Sequence, residues 1–323
     1  MAGLVRRRTQ RRRQLSRAGR AAAGLALSGL GAIGWGLLET RLFALRSATV
    51  PALPAGARPV RLLHLSDLHM LPGQRRKQEW VRSLAELEPD VVITTGDNMA
   101  HPASLPAVLH AIEPLLARPG AFVLGSNDYF APSPKNPARY LLPDARGGGS
   151  GDEPRPLPAP ALVSAMRAAG WLDLTNARGT VDVAGLTFSL VGVDDPHLDR
   201  DRFPAADGAA PPAADLHVGV THAPYTRVLD AMVADRCALV LAGHTHGGQL
   251  CVPGYGALVT NCDLDTGRAS GLHGWPGARP DAPGGAGSAW LNVSAGLGTS
   301  PYAPLRFACR PEASLLTLVG SDR

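Results

Sequence analysis

Residues 60–65 read VRLLHL, and Ser66-Asp67-Leu68-His69 follow at once, so a carboxylate and an imidazole stand directly after an apolar run. A short run of this kind is typical of a strand buried within a sheet. Further apolar runs alternate with segments of helical spacing along the chain. This alternation predicts a layered α/β fold in which helices cover stacked sheets.

The remaining elements are predicted from the same patterns. We expect strands at residues 60–65, 90–95, 121–125, 216–220, 238–241, 289–293 and 314–319, and a hairpin at 180–183 and 186–191. We expect helices at residues 78–87, 105–116 and 161–169. Residues 132–160 are rich in Gly and Pro, a composition that predicts a mobile surface insert.

The chemically distinctive residues fall directly after the predicted strands. They are Asp67 and His69, Asp97, Asn127 and Asp128, His222, and His244 and His246. Because ligands of α/β sheets bind at the carboxyl ends of strands, we expect these side chains to converge on one site. Carboxylates and imidazoles that converge in this way form sites for divalent transition metals such as Mn, Fe or Zn.

The order of these motifs resembles that of the calcineurin-like metallophosphoesterases. The chain offers Asp67-x-His69, Gly96-Asp97, Gly125-Ser126-Asn127-Asp128, His222 and Gly243-His244-Thr245-His246. The run GHTHGGQ at residues 243–249 is similar to that of small bacterial phosphoesterases that are often membrane-associated or exported. The resemblance implies a four-layer α/β sandwich, in which two stacked mixed sheets are flanked by helices.

The resemblance also implies a reaction and a set of ligands. The substrate would be a phosphomonoester or phosphodiester, hydrolysed at a dinuclear metal centre by a bridging hydroxide. The first metal would be held by Asp67, His69 and His246, both metals by Asp97, and the second by His222, His244 and an Asn of the third motif.

The third motif departs from the family pattern. Without a gap, Ser126 takes the position of the family's Asn ligand and Asn127 that of its catalytic His. A shift of one residue makes Asn127 the ligand and places Asp128 where the His would be. We favour Asn127 as the ligand, and we predict Asp97, Asn127 and Asp128 as the catalytic residues.

Three further polar residues follow the predicted hairpin. Asp194, Asp195 and His197 are candidates for substrate contact, although solvation of an exposed loop is the default explanation for such residues. His64 precedes the first motif and is predicted to be a packing residue.

The N-terminal segment differs from the rest of the chain. Residues 1–20 contain eight Arg and no acidic residue, and residues 21–38 are uncharged. About 20 apolar residues span a bilayer as a helix. We therefore predict a basic cytoplasmic tail (1–20), a transmembrane anchor (21–38), a linker (39–58) and the metallophosphoesterase domain (59–323).

The charge pattern also predicts orientation. Arg-rich flanks remain in the cytoplasm, which places the domain on the outer face of the cell membrane, with the lipid bilayer as its partner. A domain on the cytoplasmic face, or one exported after cleavage of a signal peptide, stays open as an alternative.

The body of the chain lacks the basic face of a nucleic-acid binder. After residue 20 it contains 24 basic residues against 27 acidic ones, so we expect no nucleic-acid partner. The four cysteines lack metal-site spacing, and either they are buried thiols or Cys251 and Cys262 form a disulfide. The altered third motif leaves a non-hydrolytic metal-binding scaffold as the alternative function.

Overall fold

Apolar runs bounded by Gly, Pro and polar residues form the strands of two stacked sheets. The computed structural model describes residues 2–133, 155–205 and 214–321, with side chains from residue 19 onward. The strands are β1 (Ala44–Leu53), β2 (Val60–Leu65), β3 (Val91–Thr94), β4 (Gly120–Phe122), β5 (Leu172–Asp173), β6 (Ala177–Val183), β7 (Leu186–Gly192), β8 (Leu216–Val220), β9 (Leu239–Ala242), β10 (Cys251–Val252), β11 (Gly256–Ala257), β12 (Gly271–Trp275), β13 (Ala289–Val293) and β14 (Glu312–Gly320).

The helices lie mostly between parallel strands, as crossover connections require. They are α1 (Ala2–Glu39), α2 (Arg75–Ser83), α3 (Leu105–Ile112), α4 (Ser126–Tyr129), α5 (Ala159–Ala168) and α6 (Thr226–Ala234). Two 3-10 turns extend α2 and α3 to the lengths that the periodicity predicts, since Leu84–Leu87 and Glu113–Leu115 continue them.

Both sheets are mixed and contain six strands. The first sheet has the order β1-β14-β2-β3-β4-β5, and the second has the order β12-β13-β9-β8-β7-β6. In the first sheet β2, β3, β4 and β5 are parallel neighbours, whereas β14 is antiparallel to β2. In the second sheet β7, β8, β9 and β13 are parallel, and β6 and β12 run antiparallel at the two edges.

Three apolar clusters separate four layers. Side chains of both sheets meet in the central cluster, which includes Leu62, Ile93, Val218 and Leu239. One outer cluster packs α2, α3 and α5 against the first sheet, and the other packs α6 against the second. The predicted four-layer sandwich is therefore confirmed.

The predicted linker at residues 39–58 contains a strand instead of an irregular connector. Residues 44–53 form β1, which pairs in parallel with β14 at the edge of the first sheet. The prolines at positions 51 and 54 favoured a connector, but a sheet edge tolerates a proline that cannot donate a hydrogen bond. Val50 and Leu53 are buried, and their burial stabilises β1 against the central cluster.

The helix α1 contains the predicted membrane segment. Its portion Gly19–Glu39 is 21 residues long, with a mean hydropathy of 1.6, and within the described chain only this helix is long and apolar enough to cross a membrane. Its large apolar side chains are exposed, with Leu25 at 76% and Leu27 at 69%.

The end of α1 is attached to the sandwich by a buried carboxylate. Glu39 is 2% exposed and accepts hydrogen bonds from the backbone N–H groups of Ala308 (3.0 Å) and Cys309 (2.7 Å). The Arg306 N–H donates to the carbonyl of Gly36 at 3.1 Å. We call residues 305–309 the strap, because they join α1 to the rest of the fold.

The cysteines are free thiols. Cys237, Cys262 and Cys309 are buried and Cys251 is half-buried, so the Cys251–Cys262 disulfide is absent. Residues 134–154 of the predicted insert and residues 206–213 of the next polar loop lie outside the described residues.

We expect Glu39→Ala to destabilise the full-length chain by roughly 1–3 kcal/mol, because two N–H groups of the strap, including that of the buried Cys309, lose their acceptor. Chemical unfolding of the chain in detergent measures this loss. Glu39→Gln keeps an acceptor oxygen and should lose less, and Glu86→Ala, at an exposed position, should change little. Equal stability of Glu39→Ala and Glu86→Ala would mean that this carboxylate does not hold α1.

Candidate metal centre

Loops from both sheets converge at the carboxyl ends of five parallel strands. The contributing residues are Asp67 and His69 after β2, Asp97 after β3, Asn127 after β4, His222 after β8, and His244 and His246 after β9. The first sheet thus supplies both carboxylates, Asn127 and His69, and the second sheet supplies the other three imidazoles. The site exists only because the sheets stack with these strand ends at the same edge.

The first cluster consists of Asp67, His69 and His246. Nε2 of His246 lies 3.1 Å from Nε2 of His69 and 3.5 Å from Oδ1 of Asp67. Nε2 of His69 lies 3.9 Å from the same carboxylate oxygen. Three ligand atoms within 4.8 Å of one another have the spacing of a metal-binding group.

The second cluster shares a residue with the first and consists of Asp67, Asp97 and His222. Oδ1 of Asp97 lies 3.6 Å from Nε2 of His222, while its Oδ2 lies 3.4 Å from Nε2 of His69. Asp97 therefore belongs to the second cluster and also turns one carboxylate oxygen toward His69 of the first.

Backbone carbonyls orient the imidazoles. Nδ1–H of His222 donates to the Thr95 carbonyl at 2.7 Å, and Nδ1–H of His246 donates to the Gly298 carbonyl at 3.1 Å. Each ring therefore turns Nε2 toward the site, as metal-binding histidines usually do. These donor bonds fix both the tautomer and the ring direction.

His244 lies beside the second cluster without belonging to it. Its ring centroid is 5.2 Å from that of His222, in an edge-on arrangement. Its Nε2 is 3.2 Å from the carbonyl of Asn261, so Nδ1 is the nitrogen left free for a ligand. The structure thus brings together all six of the predicted Asp and His ligands, with His244 on the periphery.

The donor set fits a divalent cation. Oδ1 of Asp67 and Nε2 of His222 are buried and have no hydrogen-bond partner among the described residues. Burial raises the pKa of Asp67 to about 6 and lowers that of His69 to about 4, which keeps the latter ring neutral and able to bind metal. Burial opposes a proton on His222, but the carboxylates of Asp97, Asp195 and Asp67 outweigh it and raise the pKa to about 9. The site thus attracts positive charge.

Backbone strain accompanies the site. Five of the six Asp and His residues have positive φ values: Asp67 (49°), His69 (38°), Asp97 (55°), His244 (67°) and His246 (50°). Each such conformation costs free energy for a residue with a side chain and persists only where the surrounding structure imposes it. Clustered strain of this kind is typical of functional sites.

Two glycines allow the loops to approach. A Cβ on Gly125 would collide with Oδ1 of Asp97 and with the His222 ring, and a Cβ on Gly243 would collide with Ser66 and Asp67. No larger residue fits at either position without moving a candidate ligand.

The comparison with known families agrees with this geometry. The profile of the calcineurin-like phosphoesterases matches residues 60–248, which span β2 to the turn that contains His246. The chain belongs to this family. As a calcineurin-like phosphoesterase it is a hydrolase of phosphoester bonds, and its family uses a dinuclear metal centre.

Relatives of this phosphoesterase cover most of its length. It is 25% identical to the metallophosphoesterase YkuE of Bacillus subtilis over 297 residues, covering 88% of this chain and 87% of YkuE. It is 26% identical to the phosphodiesterase YaeI of Escherichia coli over 269 residues, covering 81% and 83%. A transmembrane protein with a metallophosphoesterase domain from Danio rerio is 27% identical, covering 62% of this chain and 43% of that protein.

The third motif of this phosphoesterase directs Asn127 into the centre. The Asn127 backbone N–H donates to Oδ1 of Asp97 at 2.7 Å, and its side-chain amide contacts Oδ2 at 2.8 Å. A cation bound beside Asp97 would be met by the amide oxygen of Asn127, with the NH2 group turned away. The side chain of Asn127 therefore lies against the Asp97 carboxylate.

Asp128 has a different placement from the one expected of a catalytic residue. Its carboxylate is fully buried and accepts hydrogen bonds from the N–H groups of Asp97 (2.8 Å), Asn98 (2.9 Å) and Gly125 (3.0 Å). These bonds join the loops after β3 and β4. This geometry favours a positioning role for Asp128 over the predicted catalytic role.

The three predicted substrate residues differ in position: two are buried, and one is partly exposed near the centre. Asp194 accepts hydrogen bonds from Tyr129 (2.8 Å) and Arg200 (2.9 Å), and Asp195 is fully buried, with Oδ1 bound to the backbone N–H of His197 (2.9 Å). His197 reaches the rim of the centre, where its ring centroid lies 4.5 Å from that of His244, and the Asp195 carboxylate is close enough to His222 to help raise the pKa of that ring. The two aspartates instead shape the loop that presents His197.

A buried hydrogen-bond relay behind Asp67 was missed by the sequence analysis. Asn292 donates to Nδ1 of His64 (2.9 Å), and Nε2–H of His64 donates to Thr95 (3.0 Å). Thr95 donates to Ser66 (2.6 Å), which donates to Oδ2 of Asp67 (2.5 Å). Burial lowers the pKa of His64 to about 3, so the ring is neutral and each bond of the relay has one direction. His64 is thus more than a packing residue.

Arg306 is a second residue with no signal in the sequence. Its guanidinium is fully buried and donates to the carbonyls of Ala295 (2.6 Å) and Gly298 (2.8 Å), with Nη2 3.3 Å from Nδ1 of His246. It connects the strap to the loop that orients His246. A lone Arg in a Pro-rich segment gives no sequence pattern by which to find it.

We expect Thr95→Val, which interrupts the relay with a side chain of similar shape, to weaken metal binding about 10- to 100-fold, as for other residues that orient a ligand. Equilibrium dialysis against buffered Mn²⁺ or Zn²⁺ measures the affinity. His64→Leu should act in the same direction. His101→Leu, an exposed histidine outside the relay, is the control. Unchanged metal affinity in a folded Thr95→Val chain would show that the relay does not orient Asp67 for metal binding.

Proposed function

We propose that this calcineurin-like phosphoesterase is a membrane-anchored enzyme that binds two divalent metal ions and hydrolyses a phosphomonoester or phosphodiester in the cell envelope. The observation that supports this most directly is the position of Asp97, with one oxygen toward each cluster. A carboxylate placed in this way has two oxygens to share between two ions.

In this proposal the first ion is held by Asp67, His69 and His246, and the second by His222, His244 and Asn127, with Asp97 shared. When bound, such ions polarise a phosphoryl oxygen and lower the pKa of water. The donor set of carboxylate, imidazole and amide suits Mn, Fe or Zn.

The protein's own residues position these groups and exclude water. Thr95 and Gly298 hold two imidazoles by their carbonyls, and Asp128 joins the loops that carry Asp97 and Asn127. Burial of both carboxylates excludes the solvent that would otherwise screen them. Asp97 and the neighbouring Asn127 are the proposed catalytic residues.

We further propose that His197 contacts the substrate, since it is the partly exposed residue of the predicted trio at the rim. Asp194 and Asp195 would position it through the loop. Substrate selectivity lives in loops of this kind, and a site on a membrane-anchored domain is suited to lipid-linked or other envelope phosphoesters.

The membrane placement rests on α1. A 21-residue helix of this hydropathy is long enough for the hydrocarbon core of a bilayer. The eight arginines before it favour a cytoplasmic N-terminus and a domain on the outer face. A cytoplasmic domain, or one released by signal cleavage, is the competing arrangement.

The second candidate function is a metal-binding scaffold without turnover, which the altered third motif favours. No imidazole stands at Ser126 or Asn127, and acid–base assistance typically contributes about 10²–10⁴-fold to rate. Metal binding with no hydrolysis of any phosphoester would support it.

We expect the purified full-length chain to hold close to two metal ions and to hydrolyse aryl phosphomonoesters or phosphodiesters only with metal present. Elemental analysis and release of the aryl alcohol measure the two properties. Asp97→Asn should lose more metal than any other single change, because that residue faces both clusters.

Asp194→Asn is the matched control, since it also removes one buried carboxylate charge but lies outside both clusters. Full metal content in Asp97→Asn would reject the shared-ligand assignment. Two bound metals with no turnover of either ester would leave the scaffold function in its place.

We expect a periplasm-dependent reporter fused after residue 323 to be active in cells, because the basic N-terminus stays in the cytoplasm. A cytoplasm-dependent reporter at the same position is the control. Activity of the latter alone would place the domain on the cytoplasmic face, and recovery of the active fusion in the soluble fraction would indicate cleavage.

A further inference from the structure

A second cavity opens where α1 leaves the sandwich. Its volume is about 460 Å³, and its walls include Leu37 and Arg41 at the end of α1, Arg75, Arg76 and Lys77 at the start of α2, and Gly298. We call it the exit cavity. None of the residues that hold the proposed metal ions lines it.

We propose that the exit cavity binds the phosphate headgroup of an anionic membrane lipid. This inference rests on the proposed membrane anchoring by α1, and it adds a ligand site that is separate from the metal centre.

The charge of the exit cavity is uncompensated. Arg41, Arg75 and Arg76 are exposed, and their guanidinium groups form no hydrogen bond or ion pair with the described residues. Among the residues that the structure describes, no acidic side chain lines the cavity. Elsewhere in the described chain many arginines are paired, as Arg46 is with Glu312 and Arg178 is with Asp235. Guanidinium groups match the geometry of phosphate oxygens and bind them in pairs.

The position of the cavity along α1 matches the depth of lipid headgroups. The apolar portion of 21 residues rises about 31 Å at 1.5 Å per residue, close to the thickness of the hydrocarbon core. Leu37 lies in its last turn, and Arg41 follows two residues after its end. A bilayer around this helix therefore places its phosphate groups level with the three arginines.

The same face of the domain contains an apolar surface suited to lipid. A groove beside α1 is lined by Ile33 and Gly36 of the helix and by Leu258 and Phe307 of the sandwich. On the β10–β11 hairpin, Tyr255 is 76% exposed and Leu258 is 45% exposed. Exposed apolar and tyrosine side chains beside a membrane helix favour contact with the bilayer interface. The exit cavity and this groove together orient one face of the domain toward the membrane.

The inner wall of the exit cavity adjoins the metal centre. Lys77 donates to the carbonyl of Leu68 at 2.8 Å, next to His69, and the carbonyl of Gly298 accepts the bond that orients His246. A lipid headgroup bound there would hold the two ligand-bearing loops at a fixed height above the bilayer.

The test uses the full-length chain, purified in detergent and titrated with short-chain phosphatidylglycerol or phosphatidylcholine. Native mass spectrometry counts the bound lipids and gives their affinities. Arg41→Gln, Arg75→Gln and Arg76→Gln are combined in one variant. The control combines Arg118→Gln, Arg155→Gln and Arg236→Gln, which removes the same charge from exposed positions outside the cavity.

We expect the cavity variant to lose one tightly bound phosphatidylglycerol, with affinity reduced about 10-fold or more, because each arginine near an anionic headgroup contributes substantially. The control variant should retain it. Equal phosphatidylglycerol binding by the cavity variant, the control variant and the unmodified chain would overturn the site. If millimolar inorganic phosphate displaced the lipid, the ligand of the cavity would be a free anion and the lipid proposal would be wrong.

Partition into liposomes separates this inference from the proposed anchoring. A full-length chain that stays in the aqueous phase would overturn the anchor and the exit-cavity proposal together. A chain that partitions normally but shows no preference for anionic lipid would overturn the cavity proposal alone. Metal content and ester hydrolysis of the cavity variant should remain unchanged.

Discussion

Two carboxylates, Asp67 and Asp97, are buried where the two sheets meet, and the surrounding structure is arranged to tolerate them. An unpaired buried charge costs several kcal/mol, so each carboxylate needs cations or hydrogen-bond donors close by. Ser66, the His244 backbone and Asn127 supply donors, and the imidazoles face the oxygens that remain. The positive φ values, the glycines and the relay all serve this arrangement. The fold contributes two sheets whose strand ends coincide, and the proposed metal ions would supply the missing positive charge.

The sequence was sufficient to predict the central strands and the polar residues that follow them, for a physical reason. Buried parallel strands require continuous apolar runs, and ligands must follow those runs immediately if they are to meet at one sheet edge. Residues 60–69 satisfy both requirements within ten positions. The central strands β2, β3, β8 and β9 accordingly lie close to their predicted bounds. The membership of the family was predictable for the same reason, because its motifs occupy these strand ends.

Other features depend on contacts between distant segments and left no pattern in the sequence. The strand β1 contains a proline and pairs with a strand more than 250 residues away, so local composition favoured a connector. Glu39 acts through the backbone N–H groups of two residues about 270 positions away, and Arg306 acts through several carbonyls and the ring of His246. Asp128 occupies the expected motif, yet its direction depends on three N–H groups of two loops. Residue type identified this carboxylate, and only the surrounding structure determined what it does.

The attachment of α1 through Glu39 has a consequence for access. A domain on a flexible tether moves freely above the membrane, so its active site can reach phosphoesters at many distances from the membrane surface. Here the carboxylate holds the last turn of the helix against the strap, and the strap contacts the loop of His246 through Arg306. In a bilayer, such an attachment would hold the domain at one distance from the membrane plane and in one orientation. The metal centre would then lie at a fixed distance from the membrane plane. Substrates would be selected first by whether their phosphorus atom lies at that distance, and only then by their chemistry.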